Sequence, residues 1–346
     1  MNLKKSFIMA LSLAIILLLA WEIYLRNTME SVTLLDDSKA LWAVQRDKVP
    51  DLSEQDVILT GSSRVLFNVQ LDVWEEKTGR RPLQLATVGS SPLPIFHDLV
   101  QNTDFKGTIL VGVSPGLFFS TTYPLAQPWE WPQSKIDHYY SRTYADRSNH
   151  WLSIPLQKSF YFISAEEDES DANVDLKSIL GRTRWGSRAP YSYPGVPQFG
   201  EIQVDRSLRM TERTATDTAF ARQVKNFWQA IMSNPDMPPP DIKGTTEFFL
   251  KDAKAFMDRG GKIIFLRSPS TGMVKEVETM GLPRATAWDS LLIKAQAPGY
   301  HYEDYESLSG FDCPEWSHLS GPDADKFTAA LVDIMIADGH LTAKNQ

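Results

Sequence analysis

Short apolar runs alternate with helical patterns along most of this sequence, and this alternation limits the folds open to it. Four runs are predicted to be buried strands: residues 57–60, 83–87, 108–113 and 262–266. Helices are predicted near residues 69–77, 95–101, 246–259 and 323–337. Strands that alternate with helices favour a parallel sheet covered by helices on both faces. The sequence therefore predicts an α/β fold.

Each predicted strand is followed by a short polar segment. These segments are Gly61-Ser62-Ser63, Gly89-Ser90-Ser91, Ser114-Pro115 and Arg267-Ser268-Pro269. Parallel sheets place their functional sites beyond the carboxyl ends of the strands. We therefore expect the four segments to meet at one edge of the sheet, where His318 would arrive from the loop before the last helix.

The stretch from about residue 115 to 244 interrupts the alternation and is rich in proline and aromatic residues. It is predicted to be a large insertion over the active-site edge, as a lid or a substrate platform. Trp129 and Trp131 could stack on sugar rings or form a small hydrophobic core. The acidic residues 165–175 are predicted to form an exposed loop. Arginines beside Trp185 could contact an anionic polymer or lie in a solvated loop: Arg182, Arg184 and Arg188.

The N-terminal segment has the features of a membrane anchor. Lys4 and Lys5 precede an apolar run from Phe7 to Trp21, which continues past Glu22 to Leu25. About 19 apolar residues in a helix span roughly 28 Å, close to the thickness of a bilayer core. No small-residue cleavage site follows, which favours an uncleaved anchor over a signal peptide. The preceding lysines favour an N-terminus inside and a body outside the membrane.

These observations divide the 346-residue chain into three parts. Residues 1–26 are predicted to be the anchor, and residues 27–54 a connector with an amphipathic helix near 34–45. Residues 55–346 are predicted to form the α/β domain with its insertion. The formal net charge of −8 argues against a nucleic-acid partner, since no basic face dominates.

Metal, cofactor and disulfide signals are weak in this sequence. The six histidines show no metal-binding spacing, and there is no glycine-rich phosphate loop or dinucleotide fingerprint. Neither a metal nor a cofactor is therefore predicted. The single cysteine, Cys313, excludes a disulfide within the chain. It could be a thiol nucleophile near His318 or a small buried side chain.

Two segments contain the types of residue that catalyse acyl transfer. Ser63 follows a predicted strand at the start of a helix, whose N-terminus favours the negative charge that develops in this reaction. Glu315 and His318 are three residues apart, so on a helical turn the carboxylate could orient the imidazole. Nucleophile, base and acid are the three roles of a serine hydrolase. Asp312 is an alternative acid.

At these residues the chain resembles the SGNH (GDSL-type) hydrolase family, whose fold is a flavodoxin-like α/β sheet. Gly61-Ser62-Ser63 resembles the first motif of the family, which implies that Ser63 is the nucleophile. Gly89 corresponds to the second-motif glycine, an oxyanion-hole donor, and Glu315-Trp316-Ser317-His318 to the final Asp-x-x-His. The resemblance covers about residues 55–118 and 245–338.

The chain departs from the family at two positions. The third motif, Gly-x-Asn, is Gly112-Val113-Ser114 here, so Ser114 would join the backbone of Ser63 and Gly89 in the oxyanion hole. Loss of one such donor typically costs about 10²–10³ in rate. The acid is glutamate in place of aspartate. Both departures leave open a non-catalytic version of the fold.

Membrane-anchored Gly-Ser-Ser variants of the family are similar to proteins of alginate O-acetylation and lipoteichoic-acid alanylation. The resemblance implies hydrolysis or transfer of an acyl group through acyl-Ser63, on an envelope polysaccharide outside the cytoplasmic membrane, in the periplasm or extracytoplasmic space. It leaves open whether a membrane partner delivers the acyl donor. The alternatives are a non-catalytic glycan-binding or scaffold component, and an esterase or lipase for small esters.

Two arginines near the predicted site are candidate substrate ligands. Arg267 ends the fourth predicted strand and could clamp a carboxylate or phosphate. Arg64 follows the predicted nucleophile and could contact an anionic group. Each could instead form a structural ion pair within the protein.

Overall fold

A computed structural model describes residues 3–28, 35–120, 126–163, 197–234 and 238–344. The strands are β1 Val57–Thr60, β2 Leu83–Gln84, β3 Thr108–Gly112, β4 Gly200–Ile202, β5 Leu208–Met210, β6 Lys262–Arg267 and β7 Gly299–His301. The helices are α1 Leu3–Thr28, α2 Lys39–Arg46, α3 Ser63–Asn68, α4 Leu71–Thr78, α5 Leu93–Asn102, α6 Pro115–Phe118, α7 Gln127–Ser141, α8 Tyr144–Ser159, α9 Glu212–Thr216, α10 Thr218–Met232, α11 Ile242–Asp258, α12 Gly272–Gly281, α13 Ser290–Ala295 and α14 Gly321–Ala337.

The chain divides into two units. The smaller unit contains Met1–Asp36 and Tyr144–Gln198, and the larger contains Asp37–Thr143 and Phe199–Gln346. The predicted acidic loop and the arginine cluster around Trp185 lie outside the described residues.

The larger unit is built on a parallel sheet of five strands in the order β2-β1-β3-β6-β7. This confirms the predicted α/β class and the four predicted strands. The fifth strand, β7, was missed because Gly299–His301 contains no apolar run. A separate antiparallel pair, β4 and β5, was also missed within the predicted insertion.

Helices flank this sheet, and strand alternation explains the arrangement. Ile109 and Val111 of β3 belong to one core with Phe96 of α5 and Phe249 of α11. Leu110 lies between them, is fully buried, and faces the other side of the sheet because successive strand residues alternate. Beyond that core, α14 packs against α3 and α4. Burial of both faces explains why these strands are continuous apolar runs.

Part of the region predicted to be a connector packs into the core of the larger unit. Trp42 and Ala43 of α2 are completely buried in the core of the larger unit, and Val49 joins them. The Trp42 Nε1–H donates to the carbonyl oxygen of Leu85 at 3.0 Å. The amphipathic helix therefore covers the core, and the larger unit begins near Asp37.

Part of the predicted insertion is also core structure. Helix α7 packs against α2 and α5, and it buries Trp129 in the main core. Trp131, two residues later, is 44% exposed. Of the two tryptophans considered as sugar platforms, only Trp131 presents a ring to solvent.

The smaller unit contains the N-terminal helix α1. Its 26 residues include an 18-residue window of mean hydropathy 2.3, and most side chains in that window are exposed. The helix is long and apolar enough to cross a membrane. Helix α8 and the 3₁₀ turn Tyr161–Ile163 belong to the same unit.

Candidate active site

The carboxyl ends of the strands bring the predicted segments together. Helix α3 begins at Ser63, directly after β1 and Gly61-Ser62. Ser62 caps this helix, since its Oγ accepts from the Arg64 N–H at 3.3 Å. The Ser62 and Ser114 hydroxyls lie 2.7 Å apart, which joins the loop after β1 to the loop after β3.

Ser63, His318 and Glu315 form one continuous chain of hydrogen bonds. The Nε2 atom of His318 lies 2.8 Å from Ser63 Oγ. On the other side of the ring, Nδ1 lies 3.0 Å from Oε1 of Glu315. His318 and Glu315 are completely buried, whereas Ser63 keeps 9% of its surface exposed. Of the three residues, Ser63 is therefore the one that keeps some surface in contact with solvent.

Hydrogen bonds to Glu315 favour its ionised form. Burial alone would favour the neutral acid, but His318 and the donors around Glu315 lower the pKa of its carboxyl below the usual value. An ionised carboxylate only accepts hydrogen bonds, so His318 Nδ1 carries the ring proton. In the neutral ring, the lone pair of Nε2 is then directed at Ser63 Oγ. This is the tautomer that a general base for serine requires.

A tight turn, and not the predicted helical turn, brings Glu315 to His318. Trp316 has φ of +80°, a left-handed conformation that residues other than glycine rarely adopt. The turn aims the Glu315 carboxylate at the following backbone, where Oε1 accepts from the N–H of His318 at 2.5 Å and of Ser317 at 3.2 Å. Glu315, and not the alternative Asp312, contacts the imidazole.

Three aromatic rings enclose the His318 imidazole. Their centroids lie 4.5 Å (Phe67), 5.5 Å (Phe199) and 6.0 Å (Trp228) from the ring of His318. The indole N–H of Trp228 also donates to Oε2 of Glu315. Phe199 and Trp228 come from the predicted insertion, and sequence reasoning missed both. The only signal was the aromatic richness of that region.

Helix α3 holds the histidine loop at two further points. The Arg64 Nε–H donates to Ser317 Oγ at 3.2 Å. At the other end of the helix, Asn68 Oδ1 accepts from the Leu319 N–H at 3.0 Å. The helix that begins with Ser63 therefore also positions the residues on either side of His318.

Arg64 and Arg267 converge on Glu278 of α12. Arg64 forms an ion pair with Glu278 Oε1 at 2.9 Å, and Arg267 with Oε2 at 2.7 Å. Both arginines are buried, and the Glu278 side chain is only 12% exposed. Burial disfavours the charged acid, yet the two guanidinium groups lower the pKa of Glu278 to about 2. This geometry favours a positioning role for both arginines; their role as substrate ligands stays a prediction.

The predicted oxyanion donors lie at or just after the carboxyl ends of three neighbouring strands, β1, β2 and β3. Ser63 is the first residue of α3, where backbone N–H groups have no partner within the helix. Gly89 adopts φ of +57°, and a Cβ there would stand 2.7 Å from the Trp131 ring. The Ser114 hydroxyl is paired with Ser62. If Ser62 donates in that pair, the Ser114 proton stays available to a ligand.

The remaining candidate ligands and nucleophiles are poorly placed. Cys313 is buried, and burial together with the neighbouring Glu315 raises the pKa of its thiol. A thiolate is the reactive form of cysteine, so this environment disfavours a cysteine nucleophile. Among the described residues, no group of three or more His, Cys, Asp or Glu side chains is placed to hold a metal ion.

Close packing at two glycines positions helix α3. A Cβ on Gly112 would lie 2.1 Å from Cγ2 of Val65, and one on Gly61 would lie 2.5 Å from the same atom. The Val65 side chain thus occupies the space that a side chain at position 61 or 112 would need. The approach of α3 to β1 and β3 depends on both glycines.

Gly112→Ala should therefore displace α3 and lower the free energy of unfolding by about 1–3 kcal/mol, the usual cost of overpacking a core. Thermal unfolding followed by circular dichroism measures this change. Val65→Ala provides the control, because the double variant should be more stable than Gly112→Ala alone. Equal stability of Gly112→Ala and the wild type would contradict the contact.

No protein-family model and no curated protein significantly matches this chain. The geometry around Ser63 and the motifs around it are therefore the evidence for the function of this chain.

Proposed function

We propose that this protein is a serine acyl-ester hydrolase or O-acyltransferase that acts through an acyl-Ser63 intermediate. The observation that carries the proposal is the chain of hydrogen bonds from Ser63 through His318 to the ionised Glu315. Each residue has the orientation that its chemical role requires.

In the first half of the reaction, His318 Nε2 accepts the Ser63 proton as Oγ attacks the acyl carbonyl carbon. The N–H groups of Ser63 and Gly89, with the Ser114 hydroxyl, would stabilise the oxyanion. Collapse of the tetrahedral intermediate breaks the bond to the leaving alcohol, which takes the proton from His318. Glu315 stabilises the imidazolium that forms between these two steps.

In the second half, water or a sugar hydroxyl attacks the acyl-serine while His318 accepts its proton. Release of the acyl group returns that proton to Ser63. Water as the acceptor gives hydrolysis, and a sugar hydroxyl gives O-acylation.

The sheet supports an SGNH-type fold as part of this proposal. The order β2-β1-β3-β6-β7 is the 2-1-3-4-5 order of flavodoxin-like proteins when the strands of the sheet are numbered in sequence. Ser63 follows β1, Gly89 follows β2 and Ser114 follows β3. These are the places that the resemblance to the SGNH hydrolases implies.

The proposed substrate is an O-acylated envelope polysaccharide. A helix long and apolar enough to span a membrane supports an anchored enzyme with its body in the periplasm or another extracytoplasmic space. The exposed ring of Trp131 lies against Gly89, a proposed oxyanion donor, where it could stack on a sugar. A membrane partner could deliver the acyl donor.

A fluorophosphonate tests for an activated serine. The full chain in detergent micelles is treated with the reagent and its intact mass is measured. We expect a single adduct that maps to Ser63, and no adduct in His318→Ala. Absence of an adduct on folded wild-type protein would contradict catalysis and favour the non-catalytic glycan-binding alternative. Assays on an acylated glycan and on a small ester would then separate the polysaccharide enzyme from a general esterase.

Trp228→Phe should lower the rate on acyl esters by about 10–100-fold, mainly in kcat. The variant keeps a ring against His318 but removes the N–H that donates to Glu315, and a hydrogen bond to a charged group contributes about 1.5–3 kcal/mol. Phe227→Leu is the matched control, since Phe227 packs on Trp228 with ring centroids 5.2 Å apart. Equal rates in Trp228→Phe and Phe227→Leu would contradict a positioning role for the indole N–H.

A further inference from the structure

Helix α8 carries an exposed apolar stripe. Trp151 is 75% exposed, Leu152 is 55% exposed and Leu156 is 44% exposed. Pro155 is exposed between them, and Phe160 follows the end of the helix. At 3.6 residues per turn, positions 151, 152, 155 and 156 lie on one face. Exposed apolar side chains that form a contiguous patch mark an interaction surface.

The C-terminal end of α8 is joined to α1. The Arg26 guanidinium donates to the carbonyl oxygen of Ser159 at 2.6 Å. The Glu22 carboxylate accepts from the backbone N–H groups of Tyr161 and Phe162, both at 3.2 Å. Arg26 also lies over the Tyr161 ring, 5.2 Å from its centroid. These contacts hold the chain after α8 against one short section of α1.

That section is at the end of the apolar part of α1. The apolar residues extend to Leu25, and a bilayer core is about 30 Å thick, or roughly 20 helical residues. Trp21 and Tyr24 lie beside Glu22 and stack with centroids 5.5 Å apart. Tryptophan and tyrosine are enriched where a membrane helix meets the headgroups. The section that holds α8 is therefore the interfacial end of the span.

We propose that α8 is an interfacial membrane helix, whose apolar stripe contacts the boundary between headgroups and acyl chains of the bilayer that α1 spans. Lipid is the partner that we assign to the stripe, because the contacts with α1 place the end of α8 at the depth of the headgroups. Helices of this kind lie in the plane of the interface with their apolar face toward the acyl chains. The inference rests on the proposed insertion of α1.

Depth-dependent quenching tests the proposal on the full chain in phosphatidylcholine vesicles. Single cysteines are introduced at Leu156 in the stripe, at Asp146 on the polar face of α8 and at Ile16 in the middle of α1. Each is labelled with an environment-sensitive fluorophore; the native Cys313 is buried and does not compete. Vesicles contain lipids that carry a nitroxide either near the headgroup or deep in the chain.

We expect the deep nitroxide to quench the label at Ile16→Cys strongly, and the headgroup nitroxide to quench the label at Leu156→Cys strongly. Quenching at Asp146→Cys should be at least fivefold weaker than at Leu156→Cys. Quenching at Ile16→Cys without quenching at Leu156→Cys would overturn the proposal for α8 and leave the anchor intact. No quenching at Ile16→Cys would overturn both. A blue-shifted but unquenched Leu156→Cys label would show that protein, and not lipid, covers the stripe, which also overturns it.

Discussion

Ser63→Ala should lower the acyl-transfer rate by at least about 10⁴-fold, because removal of the nucleophile from a serine triad leaves only binding and oxyanion stabilisation. Ser63 Oγ is the atom that His318 Nε2 faces at 2.8 Å. No other hydroxyl contacts Nε2 among the described residues. The rate of release of the acyl group from an ester measures the effect, and the fluorophosphonate adduct should disappear with it.

Ser62→Ala is the matched control for this prediction. The two serines are adjacent, but Ser62 Oγ caps α3 and pairs with Ser114, away from the imidazole. Ser62→Ala should therefore keep the adduct on Ser63. An adduct that disappears in Ser62→Ala and persists in Ser63→Ala would reverse the assignment of the nucleophile.

Glu278→Ala should lower the free energy of unfolding by about 3–5 kcal/mol, the usual cost of leaving a buried charge unpaired. The substitution removes the carboxylate that neutralises both Arg64 and Arg267. For a unit of this size, the expected fall in Tm is on the order of 10 °C. Near-ultraviolet circular dichroism of the full chain in detergent reports the transition of the larger unit.

The effect of Glu278→Ala should depend on pH in a defined direction. The carboxyl has a pKa of about 2 in the folded protein and an ordinary value of 4.5. A carboxyl whose pKa is lowered by folding stabilises the protein above its unfolded-state pKa. The difference in Tm between wild type and variant should therefore be constant above about pH 4.5 and shrink as the pH falls toward 2.

Lys326→Ala is the control for the buried ion pairs. Lys326 pairs with Asp323 at 2.9 Å on the exposed side of α14, and such pairs contribute about 0–1 kcal/mol. If Lys326→Ala lowered the free energy of unfolding as much as Glu278→Ala, burial would not explain the effect at Glu278.

The sequence predicted the parts of this structure that local patterns encode. Continuous apolar runs located four strands of the sheet, and the convergence of strand ends explains why Ser62 and Ser114 are in contact. The spacing of Glu315 and His318 predicted their contact, although the backbone that makes it is different. A left-handed tryptophan at position 316 has no sequence signal, since few residues other than glycine, asparagine and aspartate favour that conformation.

Contacts between distant segments were not predictable. Trp228 reaches Glu315 from a helix 87 residues earlier, and Arg64 reaches Glu278 across 214 residues. Periodicity shows which face of a helix is apolar but not which side chain it meets. The packing of Trp42 could not be predicted for the same reason, because its partners are the Leu85 carbonyl and the Tyr139 ring of α7.

Ser63 and its proposed base, His318, are 255 residues apart in the chain. On the proposed topology, α1 enters the membrane first and the loop that carries His318 crosses much later. A partly exported chain would hold a serine with an ordinary, unreactive hydroxyl. Synthesis order alone would thus delay the onset of activity until the chain reaches the compartment of its substrate, with no need for an inhibitor or a removable propeptide.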